Sequence, residues 1–186
     1  MAGYAFAPLR TRTFDLVAVI SPFHNLAHQP LLTTAHSAYA TPLGQIPTDK
    51  ESLLALDEAL KPELGFGLSP VLRDREHSLE IELPFLQRAL AGDFKLLPVM
   101  VRAQEPEVAR GLGLALANVL KDKNALLVAS TDLSHYPQYA DAVRADRATL
   151  AAVVSLDPLA LQASIEDYMS QGIANLHTCM CGEGPV

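Results

Sequence analysis

Short apolar runs alternate along the chain with longer segments of helical periodicity, and this pattern gives the first indication of the fold. Leu16–Ile20, Leu96–Val101 and Ala125–Ala129 are continuous apolar runs rich in branched side chains, which is typical of strands buried on both faces. Leu31–Ala40 is less regular, but its threonines and tyrosine favour a strand, which Pro42-Leu43-Gly44 would end.

The first two predicted helices follow different signals. Thr48-Asp49-Lys50-Glu51 reads as a capping box with Thr48 as the cap, so a helix should run to about Leu60 and end before Pro62. The segment His77–Ala91 fits either strand alternation or a helical stripe. Its length favours a helix, with a kink at Pro84.

Three more helices are predicted in the second half of the chain. They cover Pro106–Lys121, Tyr139–Ser155 and Pro158–Ser170, with Asp157 as the N-cap of the last. This succession predicts the α/β class: a layered sandwich with a central, mostly parallel sheet flanked by helices. With 186 residues and no linker or repeat, the chain is expected to form a single domain over residues 1–186.

Charge and hydropathy make some classes of binding partner unexpected for this chain, and the cysteines make a disulfide unexpected. The formal net charge is −7 and no cluster of lysine and arginine stands out, so nucleic acid is not an expected partner. No apolar run is long enough to cross a bilayer and no secretory signal is evident, so no membrane is expected and the predicted location is cytoplasmic. The only two cysteines, Cys179 and Cys181, are too close in sequence for an unstrained disulfide.

Four polar motifs, each near the end of an apolar run, contain the candidate chemistry. Loops at the carboxyl ends of parallel strands share one rim, so residues distant in sequence can meet there. The motifs are Ser21-Pro22-Phe23-His24-Asn25, Glu76-His77-Ser78-Leu79-Glu80, Ser130-Thr131-Asp132-Leu133-Ser134-His135-Tyr136 and Cys179-Met180-Cys181-Gly182-Glu183-Gly184-Pro185.

Each candidate residue also has an ordinary structural interpretation. His24 could bind metal or act in catalysis, or be a turn histidine bonded to backbone. His77 could cap a helix instead of serving the site. Asp132 and His135, three residues apart, suit a general base oriented by a carboxylate, whereas Asp132 alone could cap a turn. Cys181 offers a soft thiolate ligand, which suits iron, copper or zinc, or is a small residue in a packed turn.

In this order the motifs resemble the Memo family (mediator of cell motility), whose prokaryotic members are called AmmeMemoRadiSam system protein B. Further matching segments are Thr41-Pro42-Leu43-Gly44 and Ile81-Glu82-Leu83-Pro84-Phe85. The resemblance implies a fold similar to class III extradiol dioxygenases, with a pocket at the strand ends. It implies His24 and Cys181 as ligands of an iron or copper cofactor, Asp132 and His135 as catalytic residues in that pocket, and His77 as a supporting residue.

The resemblance is incomplete at both ends of the chain. Ala2-Gly3-Tyr4 matches the end of the family's Pro-His-Ala-Gly-Tyr motif, and Met1 stands at the position of its ligand histidine. No counterpart of the family's closing helix and strands follows Cys181-Gly182-Glu183-Gly184-Pro185. The expectation is therefore a Memo-like domain incomplete at both termini, with His24 and Cys181 as the two remaining protein ligands.

Two functions follow as hypotheses. The first is a metal-dependent oxidoreductase, dioxygenase-like, although Cys181 in place of a carboxylate argues against ordinary extradiol ring cleavage. The alternative is a non-catalytic metal- or peptide-binding module, or an inactive fragment, on the same fold. The expected partner is a small molecule or peptide, and homo-oligomerisation through unpaired strand edges stays open.

Overall fold

A five-stranded, mostly parallel sheet forms the centre of the computed structural model, which describes residues 2–73 and 76–186. The strands of this sheet, in chain order, are β1 (Leu16–Pro22), β2 (Leu31–Thr34), β5 (Ser69–Val71), β6 (Lys95–Val101) and β7 (Ala125–Ala129). A separate antiparallel hairpin consists of β3 (Ala38–Thr41) and β4 (Gly44–Pro47). Met1, the position discussed for the missing histidine, lies outside the described residues.

Helices cover both faces of the sheet. They are α1 (Ala2–Phe6), α2 (Lys50–Leu64), α3 (Glu82–Ala89), α4 (Pro106–Leu120), α5 (Tyr139–Ser155) and α6 (Pro158–Ser170), and a short 3-10 turn at Ala7–Leu9 follows α1. The layered α/β sandwich predicted from the sequence is thus confirmed. Within the described residues, no helix is both long and apolar enough to cross a membrane.

The sheet has the order β5-β2-β6-β1-β7. β1 pairs in parallel with β6 and β7, whereas β2 runs antiparallel to β6. Alternate residues of β1 enter different cores: Val17 and Val19 pack with the α3 side, while Ala18 and Ile20 pack with α2 and α4. This two-sided burial explains why the strand reads as a continuous apolar run.

Three sequence predictions about the bounds and caps of these elements are wrong. Leu31–Ala40 is two strands in different sheets, because the chain turns around His36, whose backbone N–H is bonded to the Thr34 hydroxyl. Asp49, not Thr48, caps α2: its carboxylate accepts the N–H groups of Glu51 and Ser52, while the Thr48 hydroxyl donates to the His36 carbonyl.

The third error concerns the lengths of two helices. α2 continues through Pro62 to Leu64 and ends at Gly65, whose φ of 78° is a left-handed cap. A proline this close to the end interrupts little of the helix. α3 begins only at Glu82, so Pro84 falls in its first turn, where proline is tolerated, and no kink is needed.

The predicted rim of functional loops lies at the carboxyl ends of β1, β6 and β7. The chain leaves β1 at Pro22, and the Phe23 N–H donates to the Val101 carbonyl at 2.9 Å. The Ser130 N–H, directly after β7, donates to the Ile20 carbonyl at 2.8 Å. These bonds extend the sheet to the point where the polar motifs start, and they fix the motifs beside one another.

Candidate functional site

The carboxylate of Glu76 holds the imidazole of His24. The distance from His24 Nδ1 to Glu76 Oε1 is 2.9 Å, and the His24 backbone N–H donates to Oε2 at 2.6 Å. The His24 side chain remains 40% exposed. When a carboxylate engages one ring nitrogen, the imidazole is oriented and Nε2 is the nitrogen that can bind a metal.

Glu76 is a buried anion. Its side chain is fully shielded from solvent, and Oε1 also accepts the backbone N–H groups of His77 at 3.0 Å and Ser78 at 3.1 Å. Burial alone would raise the pKa of this carboxyl. Hydrogen bonds from the His24 ring and from the N–H groups of His24 and Ser78, together with the charge of His24, lower the pKa from 4.5 to about 2. Glu76 is therefore ionised at neutral pH.

No role was expected for Glu76, although the residue lies directly before His77 in the same motif. A clue was available: a carboxylate beside a histidine is a common way to orient a metal-binding imidazole. The partner of Glu76, however, is His24, which lies 52 residues away. Only the tertiary structure identifies that pair.

His77 lies beside His24 and does not cap a helix. The two rings are stacked, with centroids 5.3 Å apart and planes inclined by 16°, and His77 Nδ1 lies 3.4 Å from Glu76 Oε1. Its side chain is 77% exposed. His24, Glu76 and His77 each offer a ligand atom, and these atoms lie within 4.8 Å of one another, so this cluster could hold a metal ion.

Asp132 and His135 form a hydrogen-bonded pair in the loop after β7. His135 Nε2 lies 2.7 Å from Asp132 Oδ1, which is the carboxylate–imidazole arrangement expected from their spacing. The backbone connects this loop to the last motif, because the His135 N–H donates to the Thr178 carbonyl at 3.0 Å. The pair is thus anchored to the segment that carries Cys181.

The sulfur of Cys181 lies directly against Asp132. The Asp132 N–H donates to Sγ at 3.5 Å, and the Thr131 hydroxyl oxygen is 3.9 Å from the same atom. Burial raises the pKa of the Cys181 thiol. The N–H of Asp132 and the hydroxyl of Thr131 oppose this, but the Asp132 carboxylate raises the pKa further. The group is therefore a thiol at neutral pH unless a cation replaces its proton.

Asp132 contacts both Cys181 and His135. Burial opposes its ionisation, but hydrogen bonds from Cys181 and His135, and the positive charges of His135 and His24, hold the pKa of its carboxyl below the usual value. Cys181, Asp132 and His135 thus contact one another, whereas His24 and His77 form a group with Glu76.

Gly182 lets the last motif approach the β7 loop closely. A Cβ atom at this position would lie 2.5 Å from the Ser130 carbonyl oxygen and 2.8 Å from Thr131 Cβ. The Gly182 N–H donates to the Thr131 hydroxyl at 2.9 Å. Close packing, more than an unusual backbone angle, is therefore what glycine provides beside Cys181.

Both cysteines are free thiols, as their spacing predicted. Cys179 is buried in the core, and burial together with the charges of Asp146 and Glu183 raises its pKa. It is therefore a packed structural residue, whereas the partly exposed Cys181 lies at the rim. His28 is exposed, and the exposed His36 bonds the Leu72 carbonyl oxygen at 2.8 Å, so both are surface residues.

Comparison with known proteins determines the family of the chain. The family model described as Memo-like protein matches residues 1–186. The chain belongs to the Memo family. It is 30% identical over 156 residues to a MEMO1 family protein of Nitrosopumilus maritimus, a match that covers 84% of this chain and 56% of the relative.

Two other Memo relatives give similar values. A MEMO1 family protein of Ignicoccus hospitalis is 32% identical over 174 residues, covering 92% of this chain and 57% of the relative. One of Methanopyrus kandleri is 29% identical over 203 aligned residues, covering 99% of this chain and 65% of the relative. The chain thus spans less than two thirds of the length of these curated relatives.

Proposed function

We propose that this Memo protein binds iron or copper at the rim of the sheet and works as a metal-dependent oxidoreductase. His24 Nε2 and Cys181 Sγ would be the protein ligands, with Asp132 and His135 as the proton-transferring pair. The bond between Glu76 and His24 Nδ1 carries this proposal, because it orients an exposed imidazole and leaves Nε2 as the nitrogen that can bind a metal. The extradiol-dioxygenase-like fold implied by the resemblance belongs to the same proposal.

The donor set fits a transition metal. One imidazole and one thiolate favour borderline or soft ions such as iron, copper and zinc over magnesium or calcium. Glu76 is saturated with hydrogen bonds from His24, His77 and Ser78, so it suits the role of a carboxylate behind the ligand better than that of the ligand itself.

The roles of the protein groups follow from their contacts. A bound redox metal would supply electron transfer to or from a small substrate or oxygen. Glu76 fixes the tautomer of His24, with the proton on Nδ1. Asp132 accepts the proton of the Cys181 thiol in a hydrogen bond, and it holds His135 through Nε2 at 2.7 Å. His135, anchored by its backbone N–H, can then accept or return a proton next to the ligands.

A second candidate is a non-catalytic metal-binding protein that uses His24, Glu76 and His77. The observation that favours it is the stacking of two exposed imidazoles beside one carboxylate, with ligand atoms within 4.8 Å. In that case Cys181, Asp132 and His135 would not affect metal affinity. Under either candidate function, the substrate or ligand would be a small molecule or peptide.

Metal titration of matched variants separates the two candidates. The purified protein is loaded anaerobically with Fe(II), and separately with Cu(II), and binding is measured by equilibrium dialysis with elemental analysis. The oxidoreductase proposal expects His24→Ala and Cys181→Ser each to weaken binding by about tenfold or more. His28→Ala, which removes an exposed imidazole, is the control and should leave affinity unchanged.

The second arm of the experiment tests catalysis. His135→Ala should bind metal as the unchanged protein does, but oxygen consumption by the loaded protein, measured with a reductant present, should fall at least about 100-fold. If His77→Ala abolishes binding and Cys181→Ser has no effect, the His24–Glu76–His77 alternative is correct. Absence of Fe(II) or Cu(II) binding by the unchanged protein would refute both.

A further inference from the structure

The Ser130 hydroxyl lies between two acceptor atoms but carries one proton. Its Oγ is 2.8 Å from the Ser78 carbonyl oxygen and 2.9 Å from Glu82 Oε1. A carbonyl oxygen can only accept a hydrogen bond. If Ser130 donates to Ser78, its contact with Glu82 is a hydrogen bond only when Glu82 supplies the proton.

From this count of protons we infer that Glu82 is a neutral carboxylic acid that donates its proton to Ser130, which in turn donates to Ser78. In this state Glu82 positions the two loops that contain Ser78 and Ser130. The opposite arrangement would place two lone-pair-bearing oxygens, Ser130 Oγ and the Ser78 carbonyl, at 2.8 Å with no proton between them. A neutral Glu82 satisfies both contacts, and successive hydrogen bonds of one direction reinforce each other.

The surroundings of Glu82 favour its neutral form. It is the first residue of α3 and is partly buried, and Ser130 is almost wholly buried. Burial raises the pKa of the Glu82 carboxyl by more than the Ser130 hydrogen bond lowers it. The titratable groups on the segments that pack here are bonded to other partners: Glu76 and His77 in the loop before α3, His24 after β1, and Asp132 with His135 after β7.

This series of hydrogen bonds joins the loop after β1, the loop before α3 and the loop after β7, which contain the residues of the proposed site. Ser130 lies two residues before Asp132, and Ser78 directly follows His77. Ser78 also donates from Oγ to the Pro22 carbonyl at 2.7 Å, two residues before His24. Glu82 is thus a positioning residue, acting through Ser130 and Ser78, and touches neither proposed ligand. Its importance for the site rests on the proposed function, whereas its protonation state does not.

Carboxyl titration by carbon-13 NMR of glutamate-labelled protein, without added metal, tests the protonation state. We expect a glutamate carboxyl that titrates above the ordinary range and whose signal disappears in Glu82→Gln. Burial also raises the pKa of the Glu183 carboxyl, so a second raised signal should persist in that variant. The Glu82 signal should persist in Glu80→Gln, which changes an exposed carboxyl of the same motif. If the signal lost in Glu82→Gln titrates at or below the ordinary glutamate range, the inference is wrong.

Stability measurements test the positioning role. Because the folded state retains the Glu82 proton, this group contributes stability that is complete below its unfolded pKa and is lost as the pH rises through its folded pKa. Thermal melts from about pH 5 to about pH 8 should therefore decline less steeply in Glu82→Gln than in the unchanged protein or in Glu80→Gln.

The amide of Glu82→Gln keeps a donor for Ser130, so its melting temperature at about pH 5 should stay near that of the unchanged protein, whereas Glu82→Ala should lose several degrees. Equal losses in both variants, or no change in the pH slope, would overturn the inference. Because no metal is added, failure of this test leaves the metal proposal standing, and failure to bind metal leaves this test valid.

Discussion

Glu76 and His24 lie 52 residues apart in the sequence, yet Oε1 of one is 2.9 Å from Nδ1 of the other. The carboxylate also accepts the backbone N–H of His24 and of the two residues that follow Glu76. One buried anion therefore fixes both the ring and the backbone of the first predicted ligand.

The first prediction concerns the stability supplied by Glu76. Its folded pKa of about 2 lies below the unfolded value of 4.5, so Glu76→Gln should lower the free energy of unfolding at neutral pH by about 3 kcal/mol. The contribution is complete above the unfolded pKa and is lost as the pH falls towards about 2. Urea denaturation at neutral and acidic pH measures both effects.

Glu80→Gln is the control for this measurement, because it changes an exposed carboxyl in the same motif and should alter stability by less than about 0.5 kcal/mol. The difference between unchanged protein and Glu76→Gln should shrink as the pH falls below the unfolded pKa. A difference that stays constant with pH would mean that the charge of Glu76 is not what stabilises this loop.

The second prediction concerns the close approach at Gly182. A methyl group there would meet the Ser130 carbonyl oxygen at 2.5 Å, and backbone cannot rotate away as a side chain can. Gly182→Ala should therefore lower stability by about 1–3 kcal/mol and displace Cys181 from Asp132. Calorimetry measures the first effect, and Fe(II) affinity the second.

Gly113→Ala is the matched control for that substitution. Gly113 lies inside α4, and nothing stands within 4 Å of a Cβ placed on it. Alanine is the better helix former, so this variant should gain about 0.5–1 kcal/mol. If Gly182→Ala behaves like Gly113→Ala, the close approach of the two loops is not needed.

The third prediction concerns the coupling of His135 to Asp132. Burial raises the pKa of the Asp132 carboxyl, whereas the hydrogen bond and charge of His135 are among the effects that lower it. His135→Ala should therefore raise that pKa, as followed by carbon-13 NMR of the aspartate carboxyls. His177→Ala, which removes a nearby imidazole without a bond to Asp132, should not. Equal shifts in both variants would contradict the paired arrangement.

The fourth prediction concerns the start of α2. Asp49 Oδ1 accepts N–H groups of the first turn, at 3.2 Å from Glu51 and 3.5 Å from Ser52. Asp49→Ala should therefore cost about 1 kcal/mol of stability, measured by thermal or urea unfolding. Glu51→Ala, which removes an exposed carboxylate of the same turn, should cost less than half of this amount. A larger loss of stability in Glu51→Ala than in Asp49→Ala would instead support the capping box predicted from the sequence.

Much of the fold was predictable because local patterns and tertiary structure agree. The buried strands around Val17 and Val99 read as apolar runs, since helices cover the sheet on both faces. The prediction of two-sided burial is wrong for β7, because it lies at the edge of the sheet and Leu127 is 54% exposed. Pro106 and Asp157 mark helix starts through backbone effects that need no distant partner. The short strands β4 and β5 were missed because four and three residues carry too little periodicity.

The sequence by itself determined the order of the longer strands and helices, the family motifs and the residue types able to bind a metal. Tertiary structure alone decided which of those residues meet: that Glu76 holds His24, that Cys181 lies against Asp132, and that Glu82 reaches Ser130. The reason is physical. The formation of a strand or helix depends mainly on neighbouring residues. A hydrogen bond between loops depends on sheet order and register, which place distant segments side by side.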